Sequence, residues 1–442
     1  MTFPAGFRWG AATAAYQVEG AADTRGPSIW DTFCRIPGAV VNGDTGDVAC
    51  DHYRRWPEDL DLMARLGLQS YRFSIAWARV LPEGRGRPSR AGLDFYRRLV
   101  DGLLERSIEP LATLYHWDLP QRLQDEGGWP RRDTAERFAE YAALVFGELG
   151  GSVRRWITHN EPWVSAFLGH AFGTKAPGLR DWRAAAAAAH HVLLSHGLAV
   201  RAFRERPGTG EIGIALNLSP VYAATSAPDD GEAARRYDGF LNRWFLDPVL
   251  RGGYPADTVE ELERLAGPFD VVRPGDLETI AAPVDFLGVN YYSRTRVRRD
   301  DAAPFRALSA PPELPITEMG WEIAPDAFVD LLVRLRRDYG PVPLVVTENG
   351  AAFADPIPTN GEVDDPDRVA FLRGHVEAVR RAVEAGVRVE GYYAWSFLDN
   401  FEWELGYQKR FGLVYVDYPT QRRIPKRSAL WYRDWIAGRS TS

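Results

Sequence analysis

"LVVTENG", Leu344 to Gly350, is the stretch on which the reading of the fold turns. Leu344 to Thr347 run without polar alternation and include β-branched residues, the pattern of a strand covered on both faces. Glu348 follows, and then Asn349-Gly350, a pair that reads as a turn. A carboxylate at the end of a buried strand is costly unless something partners it.

Similar runs recur along the chain. Strands are expected over 8–17, 70–77, 110–117, 154–161, 211–218, 285–292, 344–349 and 389–397. Between them lie amphipathic helical patterns, over 57–67, 89–107, 132–150, 324–340 and 364–386, most of them closed by glycine. Eight strands alternating with helices predict a (β/α)8 barrel. The competing architecture is an open doubly wound sheet, which usually has fewer strands. No low-complexity linker or sequence repeat divides the chain, so residues 1–442 read as a single barrel domain with extended loops.

In a barrel the C-terminal ends of all strands meet at one mouth. The expected ends carry Gln17, Trp77, His116-Trp117, Asn160-Glu161, Asn217, Asn290 with Tyr292, Glu348 and Trp395-Ser396. Two of these ends are acidic. Glu161 in "THNEP" and Glu348 in "TENG" are far apart in sequence, but on the fourth and seventh strands they face each other across the mouth. Cleavage of a glycosidic bond needs such a pair: one carboxyl protonated, to release the leaving oxygen, and one ionised, to attack the anomeric carbon or activate water. For either glutamate alone, an ion pair or a cap would be the simpler reading. If Arg72, early in the second strand, and Tyr292 surround Glu348, it stays ionised and acts as nucleophile. Glu161, beside that negative charge, then has its pKa raised and serves as the acid.

Composition narrows the class. Of 442 residues, 45% are hydrophobic and 26% charged, as in a globular protein with ample core. The net charge of −7 offers no footprint for nucleic acid. Positive charge is nearly all arginine, since Lys175, Lys409 and Lys426 are the only lysines. The 15 tryptophans suit a large core and a site that stacks on the flat apolar faces of sugar rings. Cys34 and Cys50 lack metal or redox spacing and read as reduced thiols. "MTFPAGFRWG" is not a signal peptide, and the Ala-rich run 184–200, broken by His190, His191 and His196, reads as a packed helix rather than a membrane span. A cytoplasmic protein is the expectation. "GTGEIG" (208–213) matches a dinucleotide fingerprint only in spelling, because it follows a helix and precedes a strand. "SRTRVRR" (293–299) reads as a solvated basic face within a long loop.

Seven blocks, in order, resemble glycoside hydrolase family 1, the β-glucosidase family, over essentially the whole length. They are "FRWGAATAAYQVEGA", "GDVACDHYRRWPEDLDLMARLGLQSYRFSIAWARVLP", "LYHWDLPQRL", "THNEPW", "GVNYYS", "TENG" and "SFLDNFEWELGYQKRFGLVYVDY". The resemblance implies a (β/α)8 barrel, Glu161 as acid/base, Glu348 as nucleophile, and Asn290 and Tyr292 around the nucleophile. It also implies a sugar seat in which Gln17, His116, Asn160 and Glu402 bond hydroxyls, Trp395 stacks beneath the ring and Trp403 assists. It implies a retaining β-glucosidase for terminal β-D-glucosyl groups, with β-galactosyl or β-fucosyl groups also open. Substrates would be small β-glucosides or cello-oligosaccharides, with no metal or organic cofactor. Two residues depart from the common pattern. Lys175 stands where relatives often carry His, and Glu404 where many have a small residue. A 6-phospho-β-glycosidase and a non-catalytic sugar-binding barrel are the rival readings; both glutamates and Glu402-Trp403 are intact, which speaks against each.

Overall fold

The computed structural model describes residues 3–206, 208 and 210–439. The expected 1–442 span therefore has its extreme ends outside the described residues, as does Thr209 of "GTGEIG".

Eight parallel strands close into a barrel: β1 (Arg8–Ala12), β2 (Ser70–Ser74), β3 (Glu109–Tyr115), β4 (Arg155–Asn160), β5 (Glu211–Asn217), β6 (Phe286–Asn290), β7 (Leu344–Asn349) and β8 (Val389–Trp395). Each pairs with its sequence neighbours, and β8 pairs with β1 from Arg8↔Gly391 to Ala12↔Trp395. The closed ring decides for the barrel over the open sheet. All eight expected strands form, mostly shortened at the end that enters the mouth.

Two strands break register just before their glutamates. β4 slips against β5 between Ile157 and Asn160, and β7 slips against β6 between Val346 and Glu348. Such bulges re-aim the side chains that follow.

Helices cover the outside of the barrel. Arg90–Glu105 is capped by Ser89, whose hydroxyl accepts from Gly92 N at 3.2 Å. Trp182–Arg204 is capped by Asp181, which accepts from two backbone amides, and packs on Arg132–Leu149. Its histidines are buried and bonded: His196 to Thr158 at 2.7 Å, His190 to Asp276 at 3.0 Å and His191 to the Trp129 carbonyl at 3.1 Å. The helix expected from Pro57 begins earlier, at His52, and carries Pro57 inside it. A proline there removes one backbone hydrogen bond without ending the helix. Among the described residues no helix is long and apolar enough to cross a membrane. Cys34 and Cys50 are both free and buried.

Three expectations need correction. Gln17 does not end the first strand; it sits in a short helical turn, Ala15–Val18, beyond it. Trp77 does not face the mouth. It is fully buried and stacks on Tyr141 of the 132–149 helix, ring centres 4.9 Å apart. "SRTRVRR" is no solvated loop. Thr295–Arg299 is the middle strand of a small sheet with 221–223 and 307–309, and Arg294 and Arg296 form ion pairs with Glu322 (2.6 Å) and Glu313 (2.7 Å).

Candidate active site

β2, β6 and β7 bring together a polar cluster around Glu348. Arg72 on β2 donates from Nη1 to Glu348 Oε1 at 2.5 Å and from Nη2 to Asn160 Oδ1 at 2.6 Å. Its Nε is held by Thr113 Oγ1 at 3.2 Å. The Tyr292 hydroxyl, two residues beyond β6, donates to Glu348 Oε2 at 2.5 Å. Each oxygen of Glu348 thus has its own donor. The arginine is wholly buried and Glu348 is 3% exposed.

Glu161, one residue past β4, has a poorer environment. Its Oε1 accepts from Asn290 Nδ2 at 2.7 Å, and that amide also donates to Asn160 Oδ1 at 2.9 Å. Thr347 fixes the orientation of Asn290 by donating to its Oδ1 at 2.6 Å. Burial pushes the Glu161 carboxyl up to about 8, and the negative Glu348 adds to the rise. Burial also raises Glu348, but there the Arg72 guanidinium and the Tyr292 hydroxyl oppose it. Of the two carboxyls, Glu348 is the one equipped to carry charge, and Glu161 the one to hold a proton.

Beside the pair lies a pocket with unsatisfied polar atoms. Gln17 Nε2 donates to Asn400 Oδ1 (3.0 Å) and the Phe401 carbonyl (2.8 Å). Its Oε1 is left buried without a partner, as are His116 Nδ1 and Glu402 Oε2. Buried polar atoms normally find partners, and these three lie in one region. His116 Nε2 meets the Asn160 amide at 3.0 Å, which makes Nδ1 the protonated, donating nitrogen. Its imidazole is buried and held neutral. The ring lies nearly parallel to Trp395 (centres 5.8 Å apart) and to Trp403 (6.0 Å). Burial raises Glu402 to about 8, with Lys175 pulling down and Glu404 and Glu348 pushing up.

The cavity measures about 610 Å3. His116, Glu161, Asn290, Tyr292, Glu348, Trp395, Glu402 and Trp403 line it. Arg72, Asn160 and Gln17 stand behind them, fully buried and bonded into the same network or the Asn400-Phe401 turn. All the site residues expected from the sequence therefore gather at one end of the barrel. Glu161, Trp117 and Trp403 hold left-handed backbone angles, with φ of 48°, 77° and 51°. Such angles in non-glycine residues cluster at functional sites, where the surrounding fold enforces them.

Comparison with known proteins gives the family. The model for "Glycosyl hydrolase family 1" matches residues 1–440. The chain belongs to glycosyl hydrolase family 1.

Among its family 1 relatives, the chain is 52% identical over 444 residues to thermostable beta-glucosidase B of Thermobispora bispora, covering 99% of this chain and 91% of that one. It is 48% identical over 464 residues to a bifunctional beta-D-glucosidase/beta-D-fucosidase of Bifidobacterium breve, covering 100% and 99%. The structure of the Thermotoga maritima beta-glucosidase in complex with glucoimidazole superposes with a TM-score of 0.95 at 47% identity, covering 98% of both chains.

Asn349-Gly350 is not a turn for its own sake. A Cβ on Gly350 would lie 1.8 Å from the Trp395 carbonyl oxygen, so glycine lets β7 and β8 touch. Asn349 ties both neighbours, donating to the Tyr291 carbonyl and accepting from the Tyr392 hydroxyl, each at 2.7 Å. The outer half of the cavity was missed from sequence. It is walled by Trp163, Leu168, Leu241, Met319 and Trp321, with Arg294 and Arg296 at its edge. Leu168 and Leu241 lie in the short helical segments Val164–Leu168 and Gly239–Arg243, and Met319 and Trp321 outside any helix or strand, where no barrel-strand pattern points to a mouth. Lys175 and Glu404 form an ion pair with each other.

Proposed function

We propose that this family 1 chain is a retaining β-glucosidase that releases terminal non-reducing β-D-glucosyl groups. The observation that carries the reading is the unequal environment of two buried carboxyls in one cavity: Glu348 with a guanidinium and a phenol, Glu161 with one amide. Glu161 gives its proton to the glycosidic oxygen while Glu348 attacks the anomeric carbon. The bond to the leaving group breaks and a glycosyl–Glu348 ester forms. Glu161, now ionised, takes a proton from water as the water oxygen attacks the same carbon. The ester bond breaks, Glu348 leaves as carboxylate and Glu161 is protonated again. Two inversions give net retention.

Gln17, His116, Asn160 and Glu402 bond the sugar hydroxyls, and Trp395 and Trp403 cover its apolar surface. The orphaned oxygens and nitrogen described above support that seat. Small β-glucosides and cello-oligosaccharides fit a pocket of this size. β-D-fucosides form a second substrate class, supported by the similarity to the bifunctional Bifidobacterium breve enzyme. The chain works as one catalytic unit and resides in the cytoplasm.

Proton NMR of the first-formed sugar tests the mechanism. A β-glucoside should release β-glucose, which then mutarotates. Release of α-glucose would replace double displacement with inversion.

A further inference from the structure

Between β6 and β7 the chain forms a loop, residues 313–322, that presents Met319 and Trp321 to the cavity. Its neck is pinched where Ile316 and Glu322 pair as an antiparallel bridge. Its tip is a tight turn: Gly320 N donates to the Thr317 carbonyl at 2.9 Å, with Gly320 at a φ of 76°, where glycine is favoured. Glu322 holds the loop down. Its side chain is 6% exposed, and its carboxylate accepts from Arg294 Nε at 2.6 Å, Arg294 Nη2 at 3.3 Å, and the backbone amides of Glu313 at 2.5 Å and Leu314 at 3.0 Å. Burial opposes that charge, but Arg294 and the two amides outweigh it and hold the carboxyl down at about 2. The Glu322 carbonyl accepts from Ser293 Oγ at 2.9 Å, and Glu318 N donates to the Ala352 carbonyl at 3.0 Å. The loop is thus fastened to the two residues that follow Tyr292 and to the segment that follows Glu348. Trp321 packs against the Tyr292 ring, centres 5.3 Å apart, and Phe411 stands 6.2 Å from the one and 6.3 Å from the other. The Tyr292 hydroxyl, in turn, donates to Glu348 at 2.5 Å.

We propose that Glu322 is a positioning residue for the nucleophile: it fastens Trp321 against the Tyr292 ring and so keeps the phenol hydrogen-bonded to Glu348. The proposal rests on the glucosidase reading above. The oxygens of Glu322 are taken up by Arg294 and by the loop itself, so Glu322 acts through Trp321 and Tyr292 rather than on the sugar. If the Trp321 wall slackens, the phenol loosens and the Glu348 carboxylate is free to turn. A nucleophile held out of line slows ester formation, while the sugar seat still binds.

The test uses β-D-glucosyl fluoride, whose leaving group is one atom and cannot draw on the outer cavity wall. Glu322→Gln should slow ester formation in a single turnover by about tenfold, the equivalent of one weakened hydrogen bond. The constant for competitive inhibition by glucose should stay where it is, because the sugar seat is untouched. Trp321→Leu should slow the same step, and Trp321→Phe, which keeps a flat ring on Tyr292, should retain most of the rate. On a Tyr292→Phe background neither Glu322→Gln nor Trp321→Leu should add a further loss, because both act through the missing hydroxyl. Circular dichroism melting confirms folding; if Glu322→Gln does not fold, Trp321→Leu, with its anchor intact, decides. An unchanged fluoride rate overturns the proposal, and so does a loss confined to 4-nitrophenyl β-glucoside, which would make Trp321 a wall for the leaving group alone. Losses that multiply with Tyr292→Phe overturn it as well. If the wild type hydrolyses neither the fluoride nor the aryl glucoside, the glucosidase reading itself fails.

Discussion

Arg72 and Glu348 meet at 2.5 Å from strands on opposite parts of the ring, the arginine wholly buried and the carboxylate nearly so. The same guanidinium reaches Asn160, the residue before Glu161. One side chain therefore ties together the strand ends that carry Glu161 and Glu348 and places a positive charge between them. Removing one partner of a buried pair leaves the other uncompensated, at a cost of roughly 3–5 kcal/mol.

Arg72→Met should accordingly lower the melting temperature and reduce kcat/KM by at least about a hundredfold. Without the guanidinium, burial acts on Glu348 with less opposition, and its pKa climbs further. A nucleophile must be ionised, so the acidic limb of the pH–rate profile should move to higher pH. A profile measured between pH 4 and 9 checks the shift.

For the wild type, kcat/KM should follow a bell. Loss of the Glu161 proton sets the alkaline limb near 8, and protonation of Glu348 sets the acidic limb. The two carboxyls titrate as a coupled pair, so the limbs belong to the pair. Stability should show the same shift with a definite sign. The folded Glu161 carboxyl holds its proton to about 8, against an ordinary value of 4.5. Over that window the folded state binds more protons than the unfolded one, and stability falls as pH rises. Glu161→Gln removes this liability. Calorimetry should find it more stable than wild type at pH 8 by a few kcal/mol, with the difference vanishing below about pH 4.5.

Glu402→Ala should damage turnover of glucosides by about two- to tenfold for each hydrogen bond that the carboxyl, held neutral by burial, makes to the sugar, at about 0.5–1.5 kcal/mol per bond. Near-normal kcat/KM in the folded variant would remove Glu402 from the sugar seat.

Glu161→Ala and Glu348→Ala should fail differently. Without Glu161, a dinitrophenolate still departs unaided, and the ester on Glu348 then waits for a base that is gone. Azide needs no base and should speed turnover, giving the β-glycosyl azide. In Glu348→Ala azide enters from the vacated side and should give the α-azide. Product anomers read by NMR assign the two roles, and a reversed pattern exchanges them.

Gly350→Ala should be strongly destabilising although its methyl is small. The added carbon would fall 1.8 Å from the Trp395 carbonyl, which is backbone and cannot swing away. Reduced melting temperature together with loss of activity is expected, since Glu348 and Trp395 sit at the two strand ends that would separate.

Much of this was legible in the sequence, for physical reasons. Strands covered on both faces write themselves as apolar runs, and Glu161 and Glu348 stand out because a carboxylate rarely ends such a run. The same rule misled at both margins of the mouth. Gln17 and Trp77 follow apolar runs too, but the chain has already turned into helix by the time it reaches them, so one enters the site from a helical turn and the other packs outward. Asn349-Gly350 carries the spelling of a turn, while its glycine answers to a steric contact with a strand far along the chain. The outer cavity wall and the pairing of Lys175 with Glu404 were beyond reach. Local pattern says nothing of which loops meet over a barrel, nor of which charges find each other there.

The scarcity of lysine has a practical side. Lys426 is sealed between Asp355 and Asp399, Lys409 bonds Glu318 beside the cavity wall, and Lys175 stands in the cavity itself. Reagents that acylate side-chain amines thus find their targets near the mouth and almost none on the exterior. A resin that grips proteins through lysine side chains would have little but Lys409, 22% exposed, to hold. Carboxylates, of which the chain has 60 on aspartate and glutamate, offer far more points of attachment.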